Sequence, residues 1–218
     1  MAAAPRAPRL RVEPATAANW PQLCRLFGER GACGGCWCMT MRLPARDYDA
    51  GKGAPHKRRL RRRVDREPAP GLLAFAGDEP VAWISLGPRP EFARLATSRV
   101  LAPVDDRPVW SIVCMFVRRD LRRRGVSRQL LRAAAAFARR CGADVLEGYP
   151  VDPKGSLADA FAWTGLASAY RAAGFREVAR RSVSRPVFRL LLRRPGGAAA
   201  RAPAAVAERG ARRSAGLP

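Results

Sequence analysis

The stretch VWSIVCMFV, residues 109–117, runs straight into RRDLRRRGVSRQLLRAAAAFARRCG. An almost unbroken apolar run, rich in β-branched and aromatic residues, reads as a strand buried on both faces. Beyond Gly125, the positions Val126, Leu130, Leu131, Ala134, Phe137, Ala138 and Cys141 recur at helical spacing. Arginines take the opposite face, and Gly142 is placed to end the helix. A strand buried on both sides needs layers above and below it. The chain is therefore expected to build an α/β domain around a central sheet.

The flanking segments fit that plan. LRVEPAT reads as a first strand ending at Pro14. TAANWPQLCRLFGER follows as a helix with Trp20, Leu23, Leu26 and Phe27 on one face and Thr16 as its expected cap. GAPHKRRLRRRVDRE reads as a second, strongly basic helix. GLLAFAGDEPVAWISLG reads as a hairpin turning at Gly77-Asp78. After the central strand and helix come a short strand in ADVLEGYPV, a helix in LASAYRAAGF, and two closing strands in FREVARRS and RPVFRLLLR. The sum is a mixed α/β (α+β) sheet of about six to seven strands flanked by about four helices. Residues 1–9 and 194–218, rich in Ala, Pro, Gly and Arg, read as flexible tails around a single domain over 10–193.

The chemistry concentrates where the central strand meets its helix. Free N–H groups and the positive dipole end at a helix start make an anion site. Gly125 lets backbone approach a phosphate, and Arg122, Arg123 and Arg124 add charge there. The GxxxxGK[ST] loop and the GxGxxG fingerprint are both absent. A different phosphate cradle is implied.

This junction resembles the hallmark of the GNAT superfamily of acetyl-CoA-dependent N-acetyltransferases, a strand followed by [QR]-x-x-G-x-[GA] at a helix start. Here it reads Arg122-Arg123-Arg124-Gly125-Val126-Ser127, with Ser127 where Gly or Ala is usual and Arg119 where many members carry Pro. A second match, Y-x-x-x-G-F, lies downstream as Tyr170-Arg171-Ala172-Ala173-Gly174-Phe175. The resemblance covers about residues 10–193 and implies an enzyme that moves an acetyl group from acetyl-CoA directly to a primary amine, of a small molecule or a protein. It implies that the backbone of Met115, Phe116 and Val117 pairs with the pantetheine arm. The pyrophosphate is then held from Arg122 to Ser127, Val126 included. Tyr170 becomes the acid for the leaving thiolate. Glu147 is the first candidate base and Asp152 the second, and a base is not obligatory.

The segment GACGGCWCMTMR, residues 31–42, holds Cys33, Cys36 and Cys38. A closed zinc site needs four ligands, commonly from two knuckles, and only one knuckle is present. No metal is expected, and Cys24, Cys114 and Cys141 read as packed thiols. In the resembled fold this region borders the acceptor pocket, so Trp37, Met39 and Met41 are candidate wall residues and Arg42 a contact for an acidic group. Cover for one end of the core is the competing reading. His56, the one histidine, lies in a basic run and reads as solvated.

The formal net charge of +23 comes almost wholly from arginine. That fits a solvated basic surface, and it leaves a polyanion partner such as nucleic acid open though not favoured. A function of a different class follows from it, a non-catalytic GNAT-like or basic module that binds acyl-CoA, nucleic acid or a protein. The basic run HKRRLRRR lacks the interleaved aromatics of single-strand binders. No apolar run approaches a bilayer span of about 20 residues. A cytoplasmic protein without membrane contact is expected, with a homodimer one open oligomeric state.

Overall fold

The computed structural model describes residues 8–153, 155 and 162–192. The expected tails therefore lie almost entirely outside the described residues. Seven strands form one sheet: β1 (Arg11–Pro14), β2 (Gly71–Ala76), β3 (Glu79–Pro88), β4 (Trp110–Val117), β5 (Val145–Gly148), β6 (Arg176–Arg180) and β7 (Pro186–Leu191), in the order β1-β2-β3-β4-β5-β7-β6. Six α-helices are described: α1 (Trp20–Phe27), α2 (Ala45–Ala50), α3 (Ala54–Val64), α4 (Ala93–Ala96), α5 (Val126–Arg140) and α6 (Ala167–Ala172). The additions to the four expected are α2 and α4, both too short to show a period.

One sheet face packs on α5. Leu72, Ala82, Ile84 and Ile112 meet Leu130, Leu131 and Ala134 there, all fully or almost fully buried. The other face carries α1 and α3, where Leu73, Phe75 and Trp83 pack on Leu23, Phe27 and Leu60. Central β3 and β4 are thus covered on both sides, as their apolar composition requires.

Two irregularities shape the middle of the sheet. Between β3 and β4, Ser85 pairs with Cys114 and Leu86 with Ile112, leaving Val113 as an extra residue in a bulge. Both Val113 and Cys114 then pack into a small cluster with Met41, Phe92 and Tyr149, on the face away from α5. Parallel β4 and β5 pair only through Trp110–Leu146, Ser111–Glu147 and Ile112–Gly148. Beyond these pairs β4 continues to Val117 while β5 stops, and the sheet splits.

Three local expectations are corrected. Asn19 rather than Thr16 precedes α1, and its Oδ1 accepts the Thr16 N–H at 2.8 Å. Cys141 is exposed at the end of α5 instead of completing its apolar face. His56 is fully buried, stacked on Tyr48 at 5.0 Å with Nδ1 3.2 Å from the Gly35 carbonyl. Burial lowers its pKa, which favours the neutral ring.

Candidate functional site

A cleft of about 820 Å³ opens where β4 and β5 part, between the start of α5 and the face of α6. Its floor is Met115, Phe116 and Val117. One end is Arg122, Arg123, Gly125, Val126 and Ser127. The two sequence-predicted groups therefore share one cavity.

The turn into α5 is built for an anion. Arg122 is extended, Arg123 left-handed at φ 59°, and Gly125 left-handed at φ 87° immediately before the helix. Such alternation curls successive N–H groups around a concave surface, and the helix dipole reinforces it. A Cβ built at Gly125 meets nothing within 4 Å, so the surface beside it is clear of protein. These features fit a pyrophosphate. Arg124 does not line the cleft, whereas Arg128 does, one position beyond Ser127. The sequence reading missed Arg128 because it extended the charge only upstream of the glycine.

Along the floor, Met115 N–H donates to the Trp163 carbonyl at 2.6 Å, and beside the turn Arg122 Nε donates to the Val117 carbonyl at 3.0 Å. A pantetheine arm paired to this edge would have to displace the Trp163 contact. Tyr170 lies immediately behind this wall, fully buried, its hydroxyl donating to the Thr164 carbonyl at 3.2 Å. Its ring crosses the point where the strands part: a Cβ on Gly148 would stand 2.2 Å from Tyr170 Cε1. Burial, with a smaller contribution from Cys114, raises the phenol pKa well above its ordinary value. That direction favours the neutral phenol.

The other candidates lie elsewhere. Glu147 is fully buried and opens toward a second cavity of about 620 Å³ at the opposite end of β4. Its carboxylate accepts Arg89 Nη1 at 2.9 Å, Arg189 Nε at 2.7 Å and the Tyr149 hydroxyl at 2.6 Å. A carboxylate so enclosed is a structural anion, and the base assignment moves away from it. Asp152 is held below the ordinary carboxylate range by hydrogen bonds from Arg180 and Arg171, at 2.7 and 3.1 Å, which weakens it as a base.

The cysteine-rich segment reaches the cleft through Ala32 and Cys33. Trp37 and Met39 are buried in the core instead, Trp37 against Trp20 and Phe27 with ring centroids at 6.1 and 5.6 Å. Arg42 is enclosed too, donating to Glu91 at 2.8 Å and to the Pro70 carbonyl at 3.1 Å over the Phe92 ring. It is a buried staple and not an acceptor contact. Among the described residues, no group of three or more His, Cys, Asp or Glu is placed to hold a metal.

Residues 37–153 match the family model described as the acetyltransferase (GNAT) family. The chain belongs to the GNAT acetyltransferase family. The acyl donor of this family is acetyl-CoA, and the curled turn, Gly125 and the start of α5 fit its pyrophosphate. Solved structures agree in fold. A GNAT-family acetyltransferase from Listeria monocytogenes superposes with TM-score 0.53 at 9% identity, over 84% of this chain and 94% of its own. An agmatine N-acetyltransferase mutant in its apo form gives 0.51 at 12%, over 84% and 100%. A "histone acetyltransferase HPA2 and related acetyltransferase" from Corynebacterium glutamicum gives 0.50 at 17%, over 86% and 99%. A search of curated protein sequences returns no match. No helix among the described residues is long and apolar enough to cross a membrane.

The assignment of Glu147 as a structural anion carries a test. Glu147→Gln leaves Arg89 and Arg189 with a neutral partner, and removing one member of a buried ion pair costs about 3–5 kcal/mol. Urea denaturation should show that loss, while acetyl-CoA affinity by calorimetry stays at the wild-type value.

Proposed function

We propose that this GNAT protein transfers an acetyl group from acetyl-CoA directly to a primary amine, on a small molecule or a protein. The single observation carrying the reading is the shared cleft. It joins an anion-cradling helix start to a strand edge and runs along the face of α6, behind which Tyr170 is buried.

In this reading the N–H groups from Arg123 to Ser127, with the side chain of Arg128, hold the pyrophosphate. The β4 edge at Met115 and Val117 takes the pantetheine arm once the Trp163 carbonyl releases Met115. Backbone N–H groups there would also steady the oxyanion that forms as the amine adds to the thioester carbon. Tyr170 gives its proton to the departing thiolate, a role suited to a phenol that stays neutral. Its hydroxyl must turn from the Thr164 carbonyl to do so. The chain's own contribution is orientation and proton supply.

The acceptor is best found by measuring thiol release from acetyl-CoA against a panel of agmatine, spermidine, free amino acids and a lysine-containing peptide. At least one should react above the rate of hydrolysis. Acetyl-CoA that neither binds nor reacts would leave the binding-module alternative. Gly125→Glu should abolish acetyl-CoA binding in calorimetry, because a carboxylate then faces the phosphate cradle, and unchanged binding would refute the placement. Tyr170→Phe should lower kcat about 100-fold, within the range for losing a positioned acid, with little change in acetyl-CoA affinity.

A further inference from the structure

The cleft contains one contact that acetyl transfer requires to be broken. Past Ile112, the last β4 residue paired with β5, the Met115 N–H is already engaged, donating to the Trp163 carbonyl at 2.6 Å. Both residues line the cleft. Residues 162–165 form a tight turn, closed by the Gly165 N–H on the Ala162 carbonyl at 2.7 Å, with Trp163 and Thr164 at its centre. Gly165 lets this turn lie flush on the strand, since a Cβ there would stand 2.1 Å from Met115 Cε. The turn is pinned at its far end. Val151 N–H donates to the Gly165 carbonyl at 2.8 Å, and Ala167 N–H donates to the Val151 carbonyl at 2.9 Å.

A second element grips the turn from outside. Arg185, half-buried in the connection between β6 and β7, donates through Nη1 to Thr164 Oγ1 at 3.0 Å. Thr164 is almost fully buried, and a hydrogen bond from a charged donor is stronger than a neutral one. The same guanidinium lies 5.9 Å from the centre of the Trp163 ring, within cation–π range. One arginine therefore touches both residues that flank the turn's central peptide. The Tyr170 hydroxyl bonds to the next peptide along, at the Thr164 carbonyl.

We propose that the turn 162–165 is a built-in competitor for the acyl donor, and that Arg185 is the positioning residue that sets its grip. This rests on the acetyltransferase reading above. In the ligand-free chain the Trp163 carbonyl takes the N–H that the pantetheine arm needs. Rotating the peptide between Trp163 and Thr164 reverses that carbonyl while the flanking residues stay nearly in place, as type I and type II turns differ by such a rotation. Both side chains must give for the peptide to turn, and Arg185 holds both. The Tyr170 bond, on the neighbouring peptide, is common to the two positions and does not set the balance between them. A chain held mostly in the closed position binds its donor more weakly, in proportion to the fraction that is open. Loosening the Arg185 grip therefore tightens donor binding.

The test uses the full chain as wild type, Thr164→Val, Arg185→Ala and the two combined, with Arg185→Lys as the conservative variant. In calorimetry, acetyl-CoA should bind about tenfold tighter to Thr164→Val and to Arg185→Ala, the scale of one hydrogen bond from a charged group. The combined variant should be no tighter than either alone, because both substitutions remove the same contact. Arg185→Lys, which restores a charged donor, should fall between Arg185→Ala and wild type. In the ligand-free protein, hydrogen exchange followed by NMR should find the Met115 amide protected in wild type and exchanging about tenfold faster in the two single variants. Unchanged or weaker acetyl-CoA binding in Thr164→Val and Arg185→Ala overturns the competitor and leaves the transferase standing. A wild-type Met115 amide that exchanges freely also overturns it. Acetyl-CoA that binds no form of the chain overturns the transferase reading and this proposal together.

Discussion

Everything at the site depends on β4 and β5 being allowed to pair three times and then no more. Pro150, two residues after Gly148, has no N–H to offer a continuing ladder. The split is then kept open by side chains that only glycine neighbours admit. A Cβ at Gly148 would strike the Tyr170 ring at 2.2 Å, and one at Gly165 would strike Met115 Cε at 2.1 Å. Tyr170 is locked in that crotch by edge contacts with Phe175 and Phe188, at ring separations of 5.0 and 6.0 Å. The strand edge, the buried Tyr170 and the cleft are thus consequences of one interrupted pairing.

That dependence explains which parts were legible in the sequence. The central strand, α5, the Gly125 turn and the Tyr170 helix are each specified within a dozen or so neighbouring residues, so periodicity and spacing reveal them. The roles of isolated polar residues are set by partners far along the chain. Glu147 is bound by Arg89, 58 residues before it, and by Arg189, 42 residues after it. Arg42 meets Glu91 across 49 residues. No local pattern separates such a buried carboxylate from a catalytic one. His56 was misread for a related reason: its basic neighbours Lys57, Arg58 and Arg59 are exposed, and the helical turn alone places it inward.

The same partners change the meaning of the high net charge. Arg42, Arg89 and Arg189 are largely enclosed and serve as counter-ions inside the fold. On α3, Arg63 pairs with Glu91, while Lys57 and Arg61 lie over the rings of Trp37 and Trp20 at 5.0 and 5.4 Å. Part of the basic helix therefore caps an aromatic cluster with its aliphatic stems and charges. The residual surface charge remains large, but it is not a stripe laid out with aromatics for reading bases.

The cysteine-rich loop shows how strain and burial combine to fix a loop on the core. Two successive left-handed residues are each unfavourable by about 1–3 kcal/mol. Burying the Trp37 indole between Trp20 and Phe27 offsets part of that, because a buried aromatic ring contributes roughly 1.5–3 kcal/mol from its apolar area alone. Trp37 is thus the anchor that lets the next residue, Cys38, accept the Trp83 indole N–H at 3.2 Å. Read as wall residues, Trp37 and Met39 would have faced the cleft and left Cys38 incidental. Their burial reverses that reading, since the large side chains fix the loop on the core while Ala32 and Cys33 are what reach the cleft.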